Sequence, residues 1–317
     1  MEDLRLTAAD RAAGAIEELQ KVIRGKNAVL LWSLTAILAK GHILLEDIPG
    51  VGKTTMAVAF SKAMGLSYNR VQFTPDVLPS DITGYSVPNK VTGQMEYRPG
   101  AVLCNLFLAD ELNRATSRTQ SALLEAMEEG QVTVDGVSHS VPEPFVVIAT
   151  QNPAGAAGTQ LLPDSQIDRF MVRLSLGYPD PKAELEMLLS RQGKNPLDQV
   201  RQILDIRGLQ EMQQQVAETF VSEEVAKYVV SLVDATRRSH LLLRGASPRG
   251  TLAVTGMAKA LARLRRRDYV IPEDVREVFG VTLAHRVLRS PEAEGEGMDE
   301  TRVLQSILKS VPAPGLK

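Results

Sequence analysis

The sequence is poor in the residues that build disulfide-rich or metal-rich proteins. Its 317 residues include a single cysteine, Cys104, so no disulfide can form within the chain. Cys104 stands just before an apolar segment, and we expect it to be a small buried residue. The four histidines are widely spaced and show no pattern of metal ligands. These absences exclude a disulfide framework and give no sign of a metal centre built from histidine and cysteine.

Long apolar runs and an excess of one charge are also absent. The longest apolar stretch, residues 28–39, is too short to span a bilayer and predicts a buried helix. The 36 basic and 38 acidic residues nearly balance, which gives no general reason to expect binding to nucleic acid or to a membrane. Residues 1–20 are charged throughout and do not resemble a signal peptide, so we expect a cytoplasmic protein without membrane insertion.

Apolar residues make up 44% of the chain, enough for a substantial core, and the length predicts two domains. Before residue 180, strands alternate with helical segments, which is typical of a parallel sheet between two layers of helices. Two hairpins are predicted as insertions, near 84–101 and 131–141, the second turning at Asp135-Gly136. The remainder is predicted to be almost wholly helical, with an acidic loop at 291–300. The predicted sheet strands lie near residues 42–46, 69–73, 105–110, 145–149 and 171–176.

The feature most informative about function is Pro49-Gly50-Val51-Gly52-Lys53-Thr54-Thr55, directly after the apolar run 43–45. A strand that ends in a glycine turn and reopens as a helix leaves backbone N–H groups free to bind an anion. Lys53 would reach the β- and γ-phosphates of a nucleotide, and the Thr54 hydroxyl would ligate Mg²⁺. The usual phosphate-loop pattern has a glycine where this chain has Asp47, a departure confined to the junction of strand and loop.

Two later strands end in side chains suited to the same chemistry. Asp110 and Glu111 follow the buried-type strand 106–109. Asp110 can hold Mg²⁺, directly or through water, and Glu111 can orient and deprotonate a water aimed at the γ-phosphate. The strand at 145–149 leads to Asn152, whose amide suits the positioning of that water. Because open α/β sheets bind ligands at the carboxyl ends of their strands, the sequence predicts one site for ATP and Mg²⁺ at this edge.

Taken together, these residues resemble the MoxR family of AAA+ ATPases over nearly the whole chain. Segment 45–54, including the acidic residue 47, is similar to the family's phosphate loop. Segment 109–115 is similar to its second nucleotide motif, with Leu112 where isoleucine is more usual. Residues 74–84 resemble the approach to the family's first inserted hairpin.

The resemblance implies an α/β fold of the AAA+ type. Residues 1–180 would form the nucleotide-binding core, with a five-stranded parallel sheet between helices and two inserted hairpins. Residues 181–205 would form a linker, and residues 206–317 a helical lid domain.

The resemblance also implies roles for individual residues. Asn152 matches sensor 1, and Arg169 matches the arginine finger that is offered to a neighbouring subunit. Arg249 matches sensor 2 at the start of a lid helix, and Arg114 is a further candidate near the subunit interface. The expected catalytic residues are therefore Glu111, Asn152, Arg169 and Arg249, and the expected magnesium ligands are Thr54 and Asp110. The expected nucleotide contacts, with the loop 22–25 as the adenine-side wall, are Ile23, Gly25, Pro49, Gly50, Val51, Gly52, Lys53, Thr54, Thr55 and Asp110.

For function, the resemblance implies a chaperone-like ATPase that remodels or matures partner proteins. Members of the family are typically hexameric rings, and many act beside proteins with a von Willebrand A domain. One alternative is a nucleic-acid motor, because both hairpins recur in helicases. The near-neutral charge and the Asp135-Gly136 tip argue against that motor, although a basic cluster lies at 263–267. A second alternative is a nucleotide-gated binding switch, which turnover measured with and without a partner would distinguish.

Overall fold

The alternating apolar segments of the first half fold into one sheet and two hairpins, as predicted. The computed structural model describes residues 7–153, 161–190 and 195–315. The strands of this half are β1 (Ile43–Glu46), β2 (Tyr68–Gln72), β3 (Gly84–Pro88), β4 (Met95–Pro99), β5 (Leu106–Asp110), β6 (Gln131–Val134), β7 (Val137–Ser140), β8 (Val146–Gln151) and β9 (Val172–Leu174). Strands β2-β5-β8-β1-β9 form the sheet in that spatial order, and every neighbouring pair is parallel.

Helices cover both faces of the sheet. Adjacent residues of β1 show this directly, because Leu45 packs in one buried cluster and Leu44 in the other. The apolar run that was predicted as a buried helix forms α2 below, and α5 ends at Gly130, whose φ of 62 is typical of a helix C-terminus. The helices of this half are α1 (Ala8–Gln20), α2 (Asn27–Leu38), α3 (Lys53–Ala63), α4 (Pro79–Thr83), α5 (Ser117–Glu129), α6 (Asp164–Ile167) and α7 (Pro181–Ser190), with 3₁₀ turns at Leu112–Arg114 and Pro196–Gln199.

The two inserted hairpins, β3–β4 and β6–β7, are antiparallel and touch one another. In the second, Asp135 and Gly136 have φ 50 and 78, as a two-residue type I′ turn requires. The rings of Tyr97 and His139 stack between the hairpins, with their centroids 3.6 Å apart. Several apolar side chains of this region point into solvent, among them Tyr85, Val91, Met95 and Val137.

The second half is a helical bundle with one small sheet. Its helices are α8 (Ile206–Ala217), α9 (Glu223–Arg238), α10 (Pro248–Leu264), α11 (Pro272–Leu283), α12 (Pro291–Gly295) and α13 (Glu300–Ser310). Strands β10 (Leu242–Arg244) and β11 (Leu288–Arg289) pair antiparallel, a feature that the expectation of an almost wholly helical region missed. The loop expected at 291–300 also contains α12, because the Ser290 hydroxyl accepts a hydrogen bond from the Ala293 N–H and starts a helical turn.

The bundle packs against the core through α10, which contacts α1 and α2. One continuous buried cluster therefore includes residues from both halves, such as Leu34 of α2 and Met257 of α10. Among the helices of the described residues, none combines the length and the apolar character needed to cross a bilayer.

Candidate functional site

The segment between β1 and α3 forms an open loop at the carboxyl edge of the sheet. Gly50 and Gly52 have φ 87 and 100, in the left-handed region that glycine enters without steric cost. Helix α3 begins at Lys53, so its first N–H groups face a cavity of about 340 Å³. The cavity is lined by Pro49, Gly50, Gly52, Lys53, Thr54, Thr55, Arg70, Gln72, Asp110 and Glu111.

The Lys53 side chain is buried within this loop. Its ammonium group donates to the carbonyl oxygens of Asp47 (2.7 Å) and Ile48 (3.4 Å). Burial lowers the pKa of Lys53, while the nearby carboxylates of Asp47, Asp110 and Glu111 oppose that shift. The loop therefore holds a cation beside free N–H groups, which is the arrangement that binds phosphate.

Asp47 explains the departure from the usual loop pattern. Its buried carboxylate accepts hydrogen bonds from the N–H groups of Leu176 (2.5 Å) and Gly177 (3.0 Å) and from the Ser175 hydroxyl (2.8 Å). A glycine could make none of these contacts. The acidic residue thus ties the segment after β9 to the phosphate loop.

That segment forms one wall of a second cavity of about 400 Å³, which adjoins the first. Ile23 and Val51 line it from the core, and Tyr178 lines it from the segment after β9. Gly25 lies in the turn after Ile23 with φ 71, where a Cβ atom would come 3.2 Å from a carboxylate oxygen of Asp180. A cavity with apolar side chains beside a phosphate loop suits the base of a nucleotide.

Thr150 of β8 contacts both Asp110 and Glu111, the first through its carboxylate and the second through its backbone. The Thr150 hydroxyl donates to Asp110 Oδ1 (2.7 Å) and accepts from the Glu111 N–H (2.8 Å). Asp110 Oδ2 accepts from Arg70, at 2.7 Å from Nη2. Strand ends from β2, β5 and β8 therefore meet here, as the parallel sheet predicted.

Glu111 and Asn152 lie in contact. Glu111 has φ 56, a conformation that is rare outside glycine and is concentrated at functional sites. Its carboxylate accepts from Asn152 Nδ2 (3.3 Å) and from Arg114 (2.9 Å). The hydrogen bond from Arg114 chiefly lowers the pKa of Glu111, and burial opposes it, so the group is ionised at neutral pH. Asn152 Oδ1 is buried and has no hydrogen-bond partner among the residues that the structure describes, so it can accept a hydrogen bond from water.

The residues present fit a magnesium nucleotide. The Thr54 hydroxyl and the Asp110 carboxylate line one cavity, and both are oxygen ligands of the kind that Mg²⁺ prefers. Mg²⁺ is commonly held by one or two protein ligands together with phosphate oxygens, which matches this sparse donor set.

Arg169 and Arg249 lie close to each other, but neither lines the phosphate cavity that contains Thr54 and Asp110. Arg169 Nη2 is 3.0 Å from Glu128 Oε2 at the end of α5, and Arg249 pairs with the other oxygen of the same carboxylate. Arg249 is also 3.6 Å from Asp168 Oδ2. As predicted by position, Arg249 stands in the first turn of α10.

This arginine pair is at the amino edge of the sheet, opposite the phosphate loop. The His42 ring contacts the Met127 carbonyl (3.1 Å), and the His42 carbonyl accepts from the Met171 N–H (2.8 Å), so both segments lie beside the start of β1. The four residues of β1 alone span roughly 13 Å. An arginine at this edge is too far away to contact a nucleotide bound in the cavity of its own chain.

Four residues of this arrangement were missed from the sequence. Arg70 and Gln72 line the phosphate cavity, Glu128 pairs with both arginines, and buried Arg286 donates to the Asp168 carboxylate (2.7 Å). Arg70 and Gln72 alternate on β2, which places them on one face of the strand, but nothing local in the sequence singles out Glu128 or Arg286.

Comparison with known proteins agrees with this geometry. Residues 42–172 match the ATPase family associated with various cellular activities (AAA), and residues 234–307 match the AAA lid domain. The chain is 39% identical to Chaperone MoxR1 of Mycobacterium tuberculosis, covering 95% of this chain and 81% of that protein. It is 44% identical to YeaC of Bacillus subtilis, whose function is uncharacterised, with coverage of 95% and 94%.

A solved structure extends the similarity to the whole fold. The crystal structure of a candidate ATPase from Cytophaga hutchinsonii superimposes with a TM-score of 0.88 at 38% identity, covering 97% of this chain and 96% of the other. Both relatives and this structure are thus matched over most of their own length. The chain belongs to the MoxR family of AAA+ ATPases.

Proposed function

We propose that this protein hydrolyses ATP to ADP and phosphate at the junction between two subunits. One observation carries the proposal: Lys53, Asp110 and Glu111 line one cavity, whereas Arg169 and Arg249 lie at the opposite edge of the sheet. A chain that separates these groups holds only part of a phosphoryl-transfer site. A second copy that presents its arginine edge to the cavity would complete it.

Each residue of the cavity has a distinct task in this scheme. The first N–H groups of α3 and the Lys53 ammonium bind the phosphates, and Thr54 and Asp110 hold Mg²⁺, which when bound neutralises charge on the phosphate oxygens. Glu111 accepts a proton from water, and Asn152, in contact with Glu111, orients that water.

The arginines act from the neighbouring subunit. Arg169 stabilises the charge that develops on the γ-phosphoryl group in the transition state, and Arg249 lies beside it at the same edge. Hydrolysis then requires assembly, and bound nucleotide stabilises the assembly in turn because it contacts both subunits. The family resemblance favours a hexameric ring.

The work of this ATPase would be the remodelling or maturation of partner proteins. The relative MoxR1 is named a chaperone, and the family resemblance favours a partner with a von Willebrand A domain. The exposed apolar side chains of the hairpin region, Val91, Met95 and Val137, offer a surface for such contacts.

The basic cluster at 263–267 gives the nucleic-acid motor no support. Arg265 and Arg267 pair with Asp274 (3.3 and 2.5 Å), and Arg266 pairs with Asp10 (2.6 Å). Arginines neutralised by neighbouring carboxylates contribute little to the phosphate contacts that DNA or RNA binding needs.

Mixing two inactive variants tests the shared site. Arg169→Ala should bind ATP but hydrolyse it slowly, by about 10³-fold, because the lost charge acts mainly in the transition state. Lys53→Ala should be inactive because it binds no nucleotide, yet it retains Arg169. Mixed assemblies would contain sites in which one variant binds ATP and the other supplies the arginine. Phosphate release should therefore reappear and peak at intermediate ratios.

Two controls make the result decisive. Co-sedimentation with a non-hydrolysable ATP analogue must first show that the variants assemble together. A chain that carries both substitutions should restore nothing when it is mixed with either single variant, because no junction then has both parts. If mixed assemblies form and hydrolysis stays at the level of each parent, Arg169 does not act across the junction.

A further inference from the structure

Both oxygens of Asp110 already have partners within the chain. Oδ1 accepts from the Thr150 hydroxyl at 2.7 Å. Oδ2 accepts two hydrogen bonds from Arg70, 3.2 Å from Nε and 2.7 Å from Nη2. The Asp110 side chain is only 10% exposed, so few other groups can reach it. The carboxylate expected to hold Mg²⁺ is thus paired with a guanidinium.

The fold fixes this pairing. In the register of β2 with β5, Gln72 lies opposite Asp110, and Arg70 lies two residues earlier on the same face of its strand. Arg70 Nη2 also donates to Gln72 Oε1 (3.0 Å), which aims the guanidinium towards the strand end. The Arg70 side chain is 44% exposed and lines the phosphate cavity, so it can leave Asp110 without unfolding its strand.

A divalent cation and a guanidinium that contact the same carboxylate oxygen repel each other, so sharing the oxygen is unfavourable. Two positive charges a few ångström apart repel one another even in water, and more strongly inside a protein. Asp110 contacts Mg²⁺ either directly or through water, and in both cases the ion competes with Arg70 for the same negative charge.

We propose that Arg70 is an internal counter-ion of Asp110 that Mg²⁺ must displace, and that it thereby sets the Mg²⁺ concentration at which the nucleotide site is filled. This inference rests on the proposed nucleotide site and adds a residue to it. Once displaced, the guanidinium remains in the cavity that receives the phosphates, where it is a second cation beside Lys53. Arg70 thus opposes the metal and favours the nucleotide.

Arg70 weakens the binding of Mg²⁺ and strengthens the binding of nucleotide, so its removal should change these two affinities in opposite directions. Arg70→Gln removes the competing charge, so Mg²⁺ should half-saturate the site at a concentration roughly threefold or more below wild type, the size expected of a half-exposed ion pair. The same variant should bind the nucleotide more weakly at saturating Mg²⁺, because the displaced guanidinium that lies in the phosphate cavity of the wild type is missing. The measurement is a Mg²⁺ titration at saturating fluorescent, non-hydrolysable ATP analogue, together with a titration of the same analogue at saturating Mg²⁺.

Two further variants serve as controls for Arg70→Gln. Arg70→Lys keeps the charge without the two-pronged contact, so its Mg²⁺ dependence should lie between those of Arg70→Gln and wild type. Arg238→Gln removes an equal charge from an 80% exposed position on α9, and its titrations should match wild type.

An unchanged or higher Mg²⁺ requirement in Arg70→Gln would overturn the proposal. General damage to the site raises the requirement, so a structural role for Arg70 gives the opposite result. Unchanged nucleotide affinity at saturating Mg²⁺ would show that the displaced arginine does not act on the phosphates, and would overturn that half of the proposal. The proposed function fails separately, if the wild-type protein binds no nucleotide in either titration.

Discussion

Lys53 and Glu111 line the same cavity, but Lys53 is suited to binding phosphate and Glu111 to accepting a proton from water. Glu111→Gln retains a side chain that can contact Asn152 and Arg114, but an amide cannot accept the proton of the attacking water. We expect ATP affinity close to wild type and phosphate release slower by about 10²-fold or more. Lys53→Ala should instead lose ATP binding, because the phosphates lose the loop cation. Fluorescence titration and phosphate release, measured on both variants, check this division, and equal losses of affinity would contradict it.

The sequence predicted the residues whose chemistry depends on neighbours along the chain. The phosphate loop is a continuous segment, and Asp110 and Glu111 stand where a buried strand ends. Arg70 could not be assigned in the same way, because its contact with Asp110 joins positions 40 apart and depends on the register of two strands. The sequence showed Asp47 as an exception to the loop pattern. The hydrogen bonds that explain an acidic residue at this position come from the distant segment 175–177.

Helix α11 depends on one buried carboxylate. Asp274 is fully buried, accepts from the Ile271 N–H (3.0 Å) at the helix start, and pairs with Arg267 (2.5 Å). Asp274→Ala would leave that N–H and a largely buried guanidinium unpaired, so we expect a loss of about 3 kcal/mol in the free energy of unfolding.

Glu277→Ala is the matched control on the same helix. Its carboxylate pairs with Arg265 (2.5 Å) but is 38% exposed, and removing such a pair should cost less than about 1 kcal/mol. Urea denaturation of both variants measures the difference. Equal losses would show that the buried pair does not stabilise α11 more than a surface pair does.

Elements long enough to show a repeated pattern were predicted, and several of the shortest were not. The sheet strands and both hairpins show apolar runs or alternation over four to six residues, apart from β9, which has three. β10 and β11 contain three and two residues, too few for a repeated alternation to appear, and they pair across more than 40 positions of sequence. α12 has five residues and begins at a serine cap within an acidic segment that resembles a loop.

Two buried histidines make the stability of the whole molecule sensitive to acid. Burial lowers the pKa of His42 from 6.5 to about 4, and its Nδ1 must stay unprotonated to accept from the Val147 N–H (3.0 Å). Burial, reinforced by repulsion from Arg286, also lowers the pKa of His285. Because the unfolded chain binds these protons first, stability should be intact above pH 6.5 and fall as the pH drops towards 4.

His42 alone should contribute a loss of about 2–3 kcal/mol across that range. Denaturant unfolding at intervals from pH 7.5 to 4.5 measures it, and His42→Gln, which cannot be protonated, should show a shallower decline than wild type. If the wild-type protein and His42→Gln decline in parallel, His42 is not a source of the acid sensitivity.

The opposite placement of the phosphate loop and the arginine pair has a consequence for the shape of any assembly. A contact between two different surfaces has a direction, so subunits joined by it all face the same way round. A closed ring of them is polar, with two unlike faces, and symmetry brings the stacked hairpins of every subunit to the same level along the axis. In the proposed remodelling ATPase, a client would then meet the apolar tips of all subunits at one level along the axis.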